Sequence, residues 1–281
     1  MVHDRTQMTV RLEVLSRESF AHVLAVTSIP LAAFVGLATI AIPFAHAWSL
    51  DISAYLWLSG IVPGILGVVV AIAVEWRRQG SIGNAVVCLG MGRPHPRQLL
   101  TALIACTPVV LAYLFSFLQL GVPFVLVPAW PLWLLQFVIS QSVTEQVIYQ
   151  GLLYRRLRSG RSFLSAATLS AVVFSLMHLS RLAHGISPKV LFSLGMTLVF
   201  AAILAYPAAY LFEKGGNSIW GFALMHLVID SVDLFTGFAA PGPGLYIFLA
   251  AVLVTVPLTF LLARAWLPVA TSDLPRSWRS Q

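Results

Sequence analysis

Eight long apolar stretches decide what this chain can become. They run from Phe20 to Trp48, Ser53 to Val74, Leu99 to Leu120, Pro131 to Leu153, Phe163 to Leu179, Val190 to Phe212, Ser218 to Phe235 and Leu245 to Trp266. A helix needs about 20 apolar residues to cross the hydrocarbon of a bilayer. Lipid offers the backbone no hydrogen bonds, so such stretches must satisfy their own and become helices. Charged residues make up 10% of the 281 residues, against about a quarter of a soluble domain. The predicted fold is all-α: a polytopic membrane protein with about eight transmembrane helices. Pro30 and Pro43 are expected to kink or end the first of them. The first apolar stretch starts late and no small-residue cleavage site follows it, so it reads as a span rather than a removable signal.

The polar segments between the stretches are strongly sided. With the N-terminus inside, 15 of the 17 Lys and Arg fall on one side, and only Arg181 and Lys189 on the other. Basic loops stay in the cytoplasm, so both termini are expected there. One span more or less would move half the loops across and destroy this split. The chain divides into a cytoplasmic N-terminal segment (1–19), two leading helices with a basic loop (20–98), a six-helix core (99–267) and a cytoplasmic tail (268–281). The formal charge of +7 is explained by the same rule. No basic helix with interleaved aromatics lies outside the apolar stretches, so nucleic acid is not an expected partner. Cys88 and Cys106 read as small core residues, not a disulfide framework. Trp48, Trp76 and Trp266, near span ends, read as interface anchors.

A few ionisable groups interrupt the apolar stretches. Glu145 is the only formal charge between Pro131 and Leu153. A lone charge near the centre of a membrane helix costs about 3 kcal/mol or more, so a chain that keeps one has a use or a partner for it. The others at depth are His178, His226 and Asp230 with Asp233. Glu145 precedes Arg155 by ten residues and His226 follows Lys214 by twelve, which puts both about 15–18 Å in from the basic side. His226, Asp230 and Asp233 follow at steps of four and three and share a helix face. That face is expected to look at the helices bearing Glu145 and His178 rather than at lipid. Taken alone, each His also reads as an interhelical hydrogen-bonding group, and Asp233 as a solvated residue near a span end.

Glu145-Gln146-x-x-x-Gln150-Gly151, then Phe174-x-x-x-His178, then His226-x-x-x-Asp230 resemble the three ordered motifs of the CPBP intramembrane proteases. That family includes the type II CAAX prenyl endopeptidases and bacterial abortive-infection proteins. The resemblance covers about Leu89 to Trp266, with Leu89-Gly90-Met91 ahead of the third span. The family's usual motifs are Glu-Glu-x-x-x-Arg, Phe-x-x-x-His and His-x-x-x-Asn or Asp. Here Gln146 and Gln150 replace the second Glu and the Arg, so a charged pair becomes two amides on one helix face, able to contact each other.

The resemblance implies an intramembrane endopeptidase acting on a membrane-bound or lipidated peptide or protein. Glu145 and His178 would activate water, with His226 and Asp230 at the oxyanion side and Gln146, Gln150 and Phe174 in support. An ionised Asp230 cannot donate to an oxyanion; it must be protonated, orient His226 or bind a metal. No cofactor is required, since no His-Glu-x-x-His helix is present. A divalent metal held by Glu145, His178, His226 and Asp230 stays open. The two departures fit a second reading, a non-catalytic membrane-peptide-binding scaffold or immunity protein. A proton-coupled transporter is a third use of buried carboxylates, though no internal repeat supports it. The expected location is the inner membrane of a bacterium.

Overall fold

The computed structural model describes residues 18–238 and 242–267. The expected tail and nearly all of the N-terminal segment lie outside them. The described chain is helical almost throughout; its one β-type contact is an isolated antiparallel bridge between Leu126 and Phe235. We number the principal helices α1 (residues 20–47), α2 (52–79), α3 (Ile82–Cys88), α4 (Pro96–Ala105), α5 (Thr107–Leu118), α6 (130–158), α7 (Phe163–Met177), α8 (Pro188–Lys214), α9 (Trp220–Asp230) and α10 (Pro243–Trp266).

Five helices are long and apolar enough to cross a membrane: those over Phe20–Ala45, Ile52–Gln79, Phe163–Ala183, Val190–Lys214 and Pro243–Trp266. A sixth is formed if α4 and α5, bent by 40° at Cys106, count as one span. The bend has a local cause: Pro108 opens α5 and cannot donate a backbone hydrogen bond. The helices outside this set among the described residues include α6 and α9, which carry Glu145, His226 and Asp230. α9 is only 11 residues long, and α6 is diluted by Gln136, Gln141, Gln146 and Gln150. Pro30 and Pro43 do not end α1. The helix runs through both and widens to a π-turn segment, Ala32–Gly36, just after Pro30.

The site-bearing helix is α6, and it is unusual. Two π-helical segments, Phe137–Thr144 and Val147–Tyr154, flank Glu145 and Gln146. Such wide turns are rare and concentrate at functional sites. α6 lies against α2 through small residues. Ser140 Oγ donates to Gly60 O at 2.7 Å and Thr144 Oγ1 to Gly64 O at 3.0 Å. A Cβ on Gly64 would stand 2.9 Å from Ser140 Oγ, so only glycine lets these hydroxyls reach the carbonyls. Small residues with hydroxyl donors are how helices approach closely in lipid.

A turn at residues 88–92 ties α6 to α9. It lies on α6 at Gly151, where any Cβ would collide with the Leu89 carbonyl, and Arg155 Nη1 donates to Cys88 O. On its other side Ile219 N donates to Gly90 O at 3.1 Å, and Trp220 Nε1 to Gly92 O at 2.7 Å. Gly90 has φ +77°, and a side chain there would meet Asn217 O. Gln98, fully buried on α4, fixes the start of α9 by donating to Leu211 O and Ser218 O at 3.0 and 2.8 Å. From the anchors Gly151 and Trp220, Glu145 and His226 each lie six residues into the membrane, about 9 Å.

Candidate active site

α6 and α9 bring their polar groups together. Glu145 Oε2 lies 3.7 Å from His226 Nδ1. His226 Nε2 lies 3.2 Å from Asp230 Oδ2, one turn along the same helix. Gln146 Nε2 lies 3.2 Å from His226 Nδ1. An amide nitrogen can only donate, so Nδ1 accepts from Gln146 and the ring's own proton sits on Nε2, facing Asp230. The imidazole is thereby held at both nitrogens. Glu145 Oε2 is buried and has no hydrogen-bond partner among the described residues. The expected contact between Gln146 and Gln150 is not what Gln146 makes. Its amide turns to His226, and Gln150 Oε1 is left without a partner.

His178 sits where α7 ends. α7 stops at Met177, and the segment His178–His184 continues as a 3-10 helix. His178 Nδ1 lies 2.9 Å from Phe174 O. A carbonyl can only accept, so the proton is on Nδ1 and Nε2 is left as an acceptor. Phe174 packs against both imidazoles. Its ring meets His178 edge-on at 5.1 Å, His226 at 6.3 Å and Tyr149 of α6 at 4.7 Å. Phe174 therefore acts through packing, holding three site-facing rings from three helices.

Arg181 was legible in the sequence only as one of two basic residues on the far side. In a 3-10 helix residues three apart eclipse each other, so Arg181 faces the same way as His178. It acts electrostatically on Glu145 and Asp230, and its Nη1 donates to Ser193 Oγ of α8 at 3.2 Å. The signal that finds it is the three-residue step from His178, which means nothing until the 3-10 geometry is known. Asp233, three residues after Asp230, lies in the 3-10 turn Ser231–Leu234 and is exposed.

No three His, Cys, Asp or Glu side chains among the described residues converge closely enough to hold a metal ion. The four-residue ligand set left open by the sequence is thus not assembled in this arrangement. Glu145, His226 and Asp230 form a line, with the His226 ring between the two carboxyls, rather than a shell around one point.

Comparison with curated proteins and with solved structures gave no match. Residues 127–232 match the family described as Type II CAAX prenyl endopeptidase Rce1-like. That segment starts just before α6 and ends after Asp230, so it contains all three motifs. Through these residues the chain is similar to the Rce1-like proteases, consistent with the CPBP group that its motifs resemble.

Proposed function

We propose that the protein is an intramembrane endopeptidase that hydrolyses a peptide bond of a membrane-associated or lipidated substrate. The observation that carries this reading is the Glu145–His226–Asp230 line, in which Glu145 Oε2 holds no hydrogen bond to a described residue and the imidazole is oriented from both sides. Glu145 Oε2 and His178 Nε2 are both acceptors. A water placed between them donates both its protons and turns a lone pair towards a substrate carbonyl, the geometry that general-base catalysis needs. Glu145 takes a proton from that water as oxygen attacks carbon. His226 Nδ1, 3.7 Å from Glu145, is within reach of that proton once the Gln146 amide swings aside. The resulting imidazolium is stabilised by Asp230, and its Nδ1–H serves the tetrahedral oxyanion and then the leaving amine. Asp230 thus orients and balances His226 instead of donating to the oxyanion. We place the protein in the inner membrane of a bacterium, with eight crossings and both termini inside.

The test is Glu145→Ala in the full chain reconstituted with a membrane-peptide library. Cleavage is expected to fall by at least about a hundredfold, the lower range for a lost general base, with expression unchanged. Cleavage that persists at the wild-type rate overturns the proposal.

One observation favours a second reading, a non-catalytic peptide-binding member. The Gln146 amide occupies the His226 nitrogen that the acid step would use. Under that reading Gln146→Glu, which restores the residue usual in the family, leaves the protein without cleavage. Under the peptidase reading the same variant cleaves.

A further inference from the structure

α6 carries a second pattern, of which the hydrolytic step uses only Gln146. Ser142, Gln146, Gln150, Tyr154 and Arg158 recur at every fourth residue. In an ordinary α-helix a four-residue step over-rotates by roughly 40°, so five such residues would wind halfway around it. The two π-helical segments enlarge the turn over residues 137–144 and 147–154. With i→i+5 bonding a turn holds about 4.4 residues, so a four-residue step falls short by roughly 30° and offsets the over-rotation of the α-helical steps, which keeps the column near one line. The column leads from His226 to the membrane face that carries the basic loops.

Its upper members are buried and only partly satisfied. Ser142, Gln146 and Gln150 are 3%, 2% and 4% exposed, and Ser142 Oγ, Gln146 Oε1 and Gln150 Oε1 have no protein hydrogen-bond partner. Buried polar atoms of this kind are normally bonded to protein or to ordered water. At the lower end Tyr154 Oη donates to Glu213 Oε1 at 2.5 Å, and Arg158 Nε donates to the same oxygen at 2.5 Å. Glu213 is partly open to the surface. Successive column residues are about 6 Å apart along the axis, the length of two hydrogen bonds with one water between them.

We propose that this column is a water path, running from Glu213 at the basic face past Tyr154, Gln150 and Gln146 to Glu145. Every peptide bond hydrolysed consumes one water, and a site walled by hydrocarbon needs a route for it. The path's use as that supply rests on the peptidase reading; its being wet does not. The replacement of a charged pair by Gln146 and Gln150 fits such a route, because amides bind water without locking onto each other.

The test is hydroxyl-radical footprinting of the full chain in bilayers, with radicals generated from water by pulsed X-rays. Tyr154 is 0% exposed and Phe248, on α10 away from the column, is 4% exposed. Tyr154 is expected to be oxidised about tenfold faster than Phe248. Gln150→Leu is expected to cut oxidation of Tyr149, its neighbour on α6, at least fivefold while sparing Tyr154. Gln150→Asn, which keeps an amide, restores the Tyr149 signal and controls for misfolding. Equal rates at Tyr154 and Phe248, or Tyr149 labelling indifferent to Gln150→Leu, overturn the path. These readouts need no cleavage, so a wet column in an inactive protein refutes the peptidase reading alone.

Discussion

The two ends of α6 treat charge in opposite ways. At the basic face, Arg156 reaches Glu75 at 2.9 Å and Glu18 at 3.2 Å, and Arg78 reaches Glu75 at 2.8 Å and Glu18 at 3.7 Å. Two cations and two anions from α1's leading edge, α2 and α6 close a ring, although Arg156 and Glu75 are only 5% and 3% exposed. Eleven residues deeper along α6, Glu145 is equally buried, yet no cation bonds it and one oxygen has no partner. Desolvation penalises both places. The ring offsets that penalty within the protein and so fixes three helices in register. The deeper carboxyl leaves its penalty standing, and its missing partner is what a substrate and a water can supply. Paired charge builds the scaffold; unpaired charge marks the reaction centre.

The largest expected effect separates these two roles by sign. Arg156→Leu leaves Glu75 with Arg78 as its one remaining cation in the ring and is expected to lower stability by about 3 kcal/mol, the lower end of the cost of removing one partner of a buried pair. The double variant Arg156→Leu/Glu75→Leu should recover much of that, since an apolar pair can replace an ion pair at little cost. Glu145→Leu removes a carboxyl that holds no hydrogen bond through Oε2, so stability is expected to stay level or rise while cleavage is lost. Unfolding in mixed detergent measures all three. Destabilisation by Glu145→Leu on the scale of Arg156→Leu would erase the contrast and make Glu145 a structural residue.

The contrast also explains what could be read from the sequence. The apolar stretches gave the all-α membrane class, because length and hydropathy are properties of single segments. Glu145, His226 and Asp230 were legible because a carboxyl or imidazole in hydrocarbon is costly wherever it points. The ion ring was not: Glu75, Arg78 and Arg156 all read as members of polar loops, and only packing shows Glu75 and Arg156 buried. Local geometry was hidden for a similar reason. The wide turns of α6 and the 3-10 helix at His178 come from how helices press together, not from a residue pattern, and they place Gln146 on His226 and bring Arg181 to the site. The crossing count suffers from the site itself, since the glutamines of α6 and the shortness of α9 weaken the apolar signal where the chemistry is.

A middle-sized effect probes the far side of the His226 ring. If Asp230 works by orienting the imidazole through Nε2, Asp230→Leu should lower kcat about a hundredfold, roughly 2.7 kcal/mol on the barrier. Asp230→Asn keeps an acceptor oxygen there and should retain more than about a tenth of the wild-type kcat. It also matches the Asn alternative of the His-x-x-x-Asn or Asp motif that this segment resembles. Equal losses in the two variants would show that charge on Asp230 matters, not orientation.

The smallest effect tests whether α6 is held in place by the ring alone. Ser140 and Thr144 donate to the carbonyls of Gly60 and Gly64, on the face of α6 turned to α2. Each carbonyl is already part of the α2 helix, and each hydroxyl has alternatives; Thr144 Oγ1 also reaches Ile139 O at 2.7 Å. Interhelical hydrogen bonds in membranes average only about 0.6 kcal/mol. Ser140→Ala and Thr144→Ala should therefore each cost about 0.5–1 kcal/mol and leave kcat within about twofold. Gly64→Leu attacks the same seam by bulk instead of bonding, and because Ser140 Oγ lies 2.9 Å from the position of a Cβ, the helices must part. That variant should lose cleavage along with stability, for a displaced α6 carries Glu145 away from His226. If Gly64→Leu lowers stability but spares kcat, the seam is a contact of convenience, and the 88–92 turn by itself sets the distance between Glu145 and His226.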